Sequence, residues 1–256
     1  MTAAMPASFG ILCIAVFITG LCTSWHNKTA FHKLMSGKTI GEVEHTLTEK
    51  DHAVLYLPIY RLDFSIYANQ LAAHQITQLI RAAHTVKVDS CSYRSPNIVL
   101  IIGESYGRHH SQQYGYFMET TPRQAALEKS RKLTKFTDVV TCWNLTSFVF
   151  KNMLSTHVIG EKGEWCDYPL FPEVFRKAGY NVTFITNEFL PQAKEAVYDF
   201  SGGFFLNNPE LSKLQFDHRN TQLHDLDDGL LKDYDDSLKT FQKEHNLTIF
   251  HLMGQH

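Results

Sequence analysis

The sequence predicts an α/β fold, a mainly parallel sheet with flanking helices, preceded by one N-terminal transmembrane helix. Three observations carry that prediction. Short apolar runs at residues 97–103 (NIVLIIG), 181–186 (NVTFIT) and 247–252 (LTIFHL) are separated by stretches of helical character, which is the pattern of strands joined by crossovers. Each run leads into a polar residue capable of chemistry: Glu104, Asn187 and His256. No Lys, Arg, Asp or Glu occurs before Lys28, and residues 9–22 (FGILCIAVFITGLC) are almost wholly apolar.

The elements follow in chain order. The uncharged N-terminal stretch of about 25 residues is long enough to span a bilayer at ~1.5 Å per residue, and residues 1–25 are read as that span. A signal peptide would carry a basic region ahead of the apolar one, and none is present. Lys28, Lys33 and Lys38 follow the span, and by the positive-inside rule they would hold the rest of the chain on the cytoplasmic side. Residues 26–95 read as a juxtamembrane linker. Within it Phe64, Ile66, Tyr67, Leu71, Ile76, Leu79 and Ile80 mark an amphipathic helix over 63–84. Strand 97–103 is almost wholly apolar, as a strand covered on both faces should be. Thr121-Pro122 opens a helix to about residue 132, with Thr at the N-cap and Pro at the first helical position. A short strand is predicted over 136–140. Residues 169–179 (PLFPEVFRKAG) form a helix stopped by Gly179, and strand 181–186 follows. Over 222–243, Leu223, Leu226, Leu230, Tyr234, Leu238 and Phe241 fall on one helical face. The strand at 247–252 completes the set.

Composition narrows the function. The 256 residues suit one large domain or two small ones, and a net charge of −2 gives no sign of a nucleic-acid partner. Fourteen histidines permit metal chemistry without demonstrating it. The five cysteines form no CxxC. Cys91, Cys142 and Cys166 allow one disulfide outside the cytoplasm, with the pair left open.

Two residues carry competing readings. Glu104 is either the first polar residue of a surface turn or a ligand or base at the carboxyl end of a parallel sheet, where open α/β folds build their sites. Thr146, within TCWNLTSFVFKNMLS (141–155), stands where a helix begins. It is either an N-cap or a hydroxyl in the positive potential of a helix N-terminus, which binds phosphate oxygens and favours an alkoxide. A nearby metal would complete its activation.

Taken in order, IVLIIGES, YGY at 114–116, Thr146 with Met153 seven residues on, AGYNVTFITN and HLMGQH resemble the phosphoethanolamine transferases of bacterial envelopes. These are membrane-anchored members of the alkaline phosphatase and sulfatase superfamily. The likeness covers roughly residues 97–256, and HLMGQH, close to the family's HxxGSH, is its most specific part. The resemblance implies that residues 96–256 are the N-terminal part of a sulfatase-like catalytic domain. It implies a Zn2+ ion held by Glu104 and Thr146. Thr146 would be the nucleophile that takes phosphoethanolamine from phosphatidylethanolamine, a membrane lipid, and passes it to an envelope glycolipid (lipid A or a core sugar). His256, Asn187 and His251 would lie at the substrate, although for His251 a buried strand histidine is the simpler reading. It also implies the bacterial inner membrane, with the catalytic domain on the periplasmic side. The lysine pattern opposes that orientation unless further helices set it.

The chain departs from the family's pattern in lacking the Asp-His-Gly segment that supplies two more zinc ligands, and most of the membrane helices. It reads as an incomplete copy, expected to bind zinc poorly and to be inactive alone. A phosphoglycerol transferase would share the Thr nucleophile, and an inactive membrane remnant would share the fold. A sulfatase would need C/S-x-P-x-R, whereas Cys142 is followed by WNLT.

Overall fold

The computed structural model describes residues 7–37, 42, 57–191 and 203–254. The chain divides into two compact units, residues 1–74 and 75–256.

The described residues of the first unit are mainly helical. α1 (Ala7–Thr23) and α2 (Trp25–Ser36) are followed by the start of α3 (Leu57–Thr85), which crosses into the second unit. The single predicted span is replaced by a bent pair. No single described helix is long and apolar enough to cross a membrane, but Ser8–Thr23 and Trp25–Ser36, bent by 48°, pass together on length and composition. The 17 residues of α1 reach only ~26 Å, short of a ~30 Å hydrocarbon core. The bend has a local cause: the hydroxyls of Thr19, Thr23 and Ser24 bond back to the carbonyls of Ala15, Thr19 and Leu21, a habit that bends helices. Ile11, Ile14, Val16 and Phe17 are exposed along α1, whereas α2 buries the stripe Asn27, Ala30 and Leu34.

The second unit is built on a four-stranded, wholly parallel sheet in the order β1-β4-β2-β3. The strands are β1 (Asn97–Ile102), β2 (Asn181–Thr186), β3 (His218–Arg219) and β4 (Asn246–His251). Their register sets Asn97, Asn246 and Asn181 on the first rung and Ile102, His251 and Thr186 on the last. Every residue of β2 and β4 is buried. One face of the sheet presents Val182, Phe184, Leu247 and Ile249 to the main core. That core also takes Ile76 and Leu79 of α3, Phe150 and Leu154 of α5 (Thr146–Leu154), and Phe205 and Leu211 from α7 (Gly203–Asn207) and α8 (Pro209–Gln215). The other face sets Ile185 and Phe250 against Leu230 and Leu238.

β1 differs from the expectation of a doubly covered strand. Ile98, Leu100 and Ile102 pack on the main core, while Val99 and Ile101 are 59% and 63% exposed. The reason is position: β1 ends the sheet order, and the helix on the second face covers β2 and β4.

The remaining differences follow from competing local bonds. α4 (Pro122–Lys129) begins after Thr121 as predicted, but Thr121 makes no cap bond. Its hydroxyl instead accepts the Gln113 N–H at 3.2 Å and meets Ser111 Oγ. No strand forms over 136–140, where Phe136, Val139 and Val140 stand exposed with no ladder to join. α6 (Phe171–Lys177) ends with Gly179 at φ 96°, one residue past the C-cap Ala178. That positive φ calls for glycine; a Cβ there would also meet Tyr93 Oη at 2.7 Å and push the tip of that side chain aside. The helix expected over 222–243 is only α9 (Asp228–Asp236) and a 3-10 turn, Leu238–Phe241. Leu223 and Leu226 are exposed, because the segment before Asp228 is held in another conformation by Asn187. Cys91, Cys142 and Cys166 are all free thiols, so the disulfide that the sequence allows is not formed.

Candidate active site

The parallel strands deliver their carboxyl ends to one edge, and the predicted residues gather there. Glu104 follows β1 by two residues. The next residue, Ser105, has φ 51°, a left-handed conformation uncommon outside glycine. The turn lets Ser105 donate both its N–H (3.1 Å) and its Oγ–H (3.2 Å) to Glu104 Oε1. The carboxylate is thereby fixed while remaining half-exposed.

Thr146 is the first residue of α5, and Leu145 is the N-cap. Its hydroxyl is not spent on capping. It donates to Glu104, with Oγ1 at 3.2 Å from Oε1 and 3.1 Å from Oε2. A hydroxyl, a carboxylate and the positive end of a helix thus coincide. The helix potential favours negative charge on Oγ1 or on an approaching phosphate oxygen, and the carboxylate fixes the direction of the hydroxyl proton.

Beneath them lies His251, the last residue of β4 and wholly buried. Its ring is clamped between Phe150, edge-on at 4.6 Å, and Phe189, stacked at 5.4 Å. Its Nδ1 meets Thr186 Oγ1 at 3.0 Å, and its Nε2 lies 3.7 Å from Glu188 Oε2. Burial pushes the imidazole pKa down to about 4, against the opposing pull of Glu104 and Asp227. One donor atom from each of Glu104, Glu188 and His251 lies within 4.8 Å of the other two. A donor set of carboxylates beside a hydroxyl fits a divalent cation, and His251 Nε2, buried and without a hydrogen-bond partner, faces the Glu188 carboxylate behind it.

Asn187 sits at the end of β2 but is almost fully buried, and both ends of its amide are committed within the protein. Nδ2 donates to Asp227 Oδ1 at 3.2 Å, and Oδ1 accepts the His224 N–H at 2.7 Å. Asp227 in turn accepts the N–H groups of Met253 (2.9 Å) and Gly254 (2.7 Å). Its carboxylate approaches so closely that a Cβ on Gly254 would meet Oδ2 at 2.8 Å. The segment that leaves β4 is therefore cradled by a carboxylate from the start of α9. His256 lies outside the described residues.

Glu188 and Asp227 are the site residues that sequence reasoning missed. Glu188 had a visible signal, since it follows Asn187 at the same strand end. Asp227 had none, because one aspartate among several in HDLDDG is not distinguishable before folding. The loop carrying Glu188 is anchored by Arg219, whose guanidinium donates to the carbonyls of Phe189 and Leu206 and to Ser212 Oγ. It also lies over the rings of Phe184 and Phe216, and burial draws its pKa down to about 9. On the solvent side of Glu104 a cleft of about 420 Å³ is lined by Gly103, Tyr106, Thr120, Thr121 and Arg123, among others.

The sulfatase family model matches residues 96–256. Phosphoethanolamine transferase EptC of Escherichia coli O18:K1:H7 is 29% identical over 160 residues, which are 62% of this chain and 27% of that protein. The chain thus spans about a quarter of the length of that curated relative. The crystal structure of the C-terminal periplasmic domain of E. coli EptC in complex with Zn superposes with a TM-score of 0.50 at 28% identity, covering 63% of this chain and 44% of that one. The integral membrane protein EptA of Neisseria meningitidis gives a TM-score of 0.53 at 18% identity, covering 96% of this chain and 42% of that one, a likeness of fold. The chain belongs to the sulfatase family, and its relatives within that family are phosphoethanolamine transferases.

Proposed function

We propose that this chain carries the nucleophile half of a phosphoethanolamine transferase, with Thr146 as the attacking residue and a Zn2+ ion held by Glu104 and Thr146. The observation that carries the reading is the direct hydrogen bond of Thr146 Oγ1 to Glu104 at the N-terminus of α5, inside a sulfatase-family domain. In the proposed step Oγ1 attacks the phosphorus of phosphatidylethanolamine. A Thr146–phosphorus ester forms, the bond to diacylglycerol breaks, and the proton lost from Oγ1 ends on the diacylglycerol oxygen. The hydroxyl proton already faces the Glu104 carboxylate, so an Oγ1 lone pair is left for the phosphorus. The N–H groups at the start of α5 face charge that develops on the phosphoryl oxygens. Bound at these residues, zinc would lower the hydroxyl pKa and offset charge on the non-bridging oxygens. Transfer to a sugar or sugar phosphate of an envelope glycolipid, lipid A or core, would follow.

Asn187 was expected at the substrate. With both ends of its amide bonded inside the protein, it serves this reading as a support for Asp227. His256 remains the proposed contact to the donor phosphate. The apolar, exposed faces of α1 suit insertion in lipid, which supports membrane anchoring; the bacterial inner membrane, with the catalytic unit on the periplasmic side, is supported by the likeness to the periplasmic domain of EptC.

The test is to assay the chain, supplied with the family's Asp-His-Gly segment, in phosphatidylethanolamine vesicles for diacylglycerol release and for a phosphoethanolamine adduct on the Thr146 peptide. Thr146→Ala should lower release by on the order of 10⁴-fold or more, as loss of a nucleophile does. Thr146→Ser should keep part of it, and a zinc chelator should abolish it. Full activity in the Ala variant would refute the reading.

A further inference from the structure

Glu188 has no role in the proposed reaction as stated, and His251 has two conceivable ones. The hydrogen bonds around Thr186 separate them. Thr186 Oγ1 accepts the backbone N–H of Glu188 at 3.1 Å and that of Phe189 at 3.2 Å. Those two bonds occupy both lone pairs of the hydroxyl. Its proton is then the only atom available to His251 Nδ1, 3.0 Å away, and Nδ1 must accept. An imidazole that accepts at Nδ1 carries its own proton on Nε2. That nitrogen is therefore a donor, and it has no lone pair in the ring plane for a cation. The clamp of Phe150 and Phe189 prevents the half-turn of the ring that would put Cδ2 in place of Nδ1 and Cε1 in place of Nε2. Nε2 lies 3.7 Å from Glu188 Oε2, and Glu188 offers an oxygen within 4.8 Å of one from Glu104. Two carboxylates brought that close on a half-buried edge make a spot of negative potential that favours a cation between them.

We propose that Glu188 is a further ligand of the divalent cation held at Glu104 and Thr146, and that His251 is a positioning residue whose Nε2–H faces the Glu188 carboxylate at 3.7 Å and steadies it electrostatically. The proposal rests on the metal site of the preceding reading and raises the number of protein ligands there from two to three. The arrangement is the familiar one in which a donor behind a ligating carboxylate fixes which oxygen faces the metal. Thr186 extends it one step further. Its hydroxyl ties the ring to the backbone of the residues that carry Glu188, so ligand and support move as one piece.

The experiment titrates Zn2+ alone into the full chain in detergent micelles and reads the ring nitrogens of His251 by 15N NMR with and without the ion. Glu188→Gln should weaken zinc binding by on the order of 100-fold, and Glu104→Gln by at least as much. His251→Gln, which keeps an N–H near the Nε2 position, should weaken it by about tenfold or less. In the wild-type chain Nε2 should keep its proton when zinc is bound. Unchanged affinity in Glu188→Gln alongside loss in Glu104→Gln would overturn this proposal and leave the Thr146 reading standing. A shift of the proton to Nδ1 on adding zinc would make His251 a ligand and would equally overturn it. Unchanged affinity in Glu104→Gln, or no uptake of zinc by the wild-type chain, would remove both. The NMR reading is made on the wild-type chain, so it decides even where a variant misfolds.

Discussion

β1 and β4 lie side by side in perfect parallel register, from Asn97 opposite Asn246 to Ile102 opposite His251. They have nearly the same apolar character, yet every residue of β4 is buried while β1 alternates between exposed and half-buried. What differs is the number of neighbours. β4 has a strand on each side and a packed layer on each face. β1 has one strand beside it and one covered face. An apolar run therefore specifies a strand, but its burial is set by its place in the sheet order, a property of the whole topology.

The same division runs through the active edge. On the β1 side stand Glu104 and Thr146, half-exposed and bordering the cleft. On the β2 and β4 side stand His251 and Asn187, both buried, and Asp227, half-buried but with its carboxylate bonded to Asn187, Met253 and Gly254. The open side presents groups to a substrate, and the closed side keeps them in position. Glu188 sits at the junction, attached to the closed side through Thr186 and facing the open side.

The strongest way to sharpen the comparison is to cut into β4. Ile249 is fully buried and opposes Leu100 on one side and Phe184 on the other. Ile249→Ala should cost about 2–5 kcal/mol, the transfer term plus a cavity that both neighbouring strands must close. The measurement is the urea midpoint at unchanged m-value. A loss below about 1 kcal/mol would mean that β4 is not the packed centre of the sheet.

A smaller effect is expected from Asp227→Ala, which leaves both faces of the sheet alone. It removes the acceptor of the Met253 and Gly254 N–H groups and of Asn187. The loss should be about 1–3 kcal/mol, the range for hydrogen bonds to a charged group. Amide exchange at Met253 and Gly254 should accelerate more than at Ile249. Exchange unchanged at those two amides would show that the closed side holds itself together without this carboxylate.

Much of the fold was legible in the sequence because three strands had lengths and flanks that only a parallel sheet explains. Glu104 and Thr146 were legible for a related reason: each stands at a strand end or helix start, and those boundaries can be read locally. The misses share a cause as well. Residues 136–140 have strand propensity but find no ladder, so the prediction failed on a missing partner. The long helix over 222–243 failed because His224 and Asp227 bond to Asn187, Met253 and Gly254, residues 26 or more positions away. No window of sequence contains both ends of those bonds. The apolar N-terminal run was correctly read as helical, but Thr19, Thr23 and Ser24 break it into a bent pair through side-chain bonds that hydropathy does not register.

The smallest expected effect tests the exposed half of β1. Ile101 opposes Phe250 across the ladder, but its side chain is 63% exposed. Threonine keeps the β-branch that suits a strand and changes only a methyl-bearing arm to a hydroxyl. Because that arm already meets water, almost no transfer free energy is lost, and the hydroxyl needs no partner from the protein. Ile101→Thr should therefore change stability by no more than about 0.5 kcal/mol, as surface substitutions do. It should also reduce self-association, since an exposed apolar edge strand invites pairing with another chain. Urea denaturation and light scattering on the same samples would read both effects. A loss above about 1 kcal/mol would mean that the outer face of β1 is covered in solution, and the contrast between the two strands would then disappear.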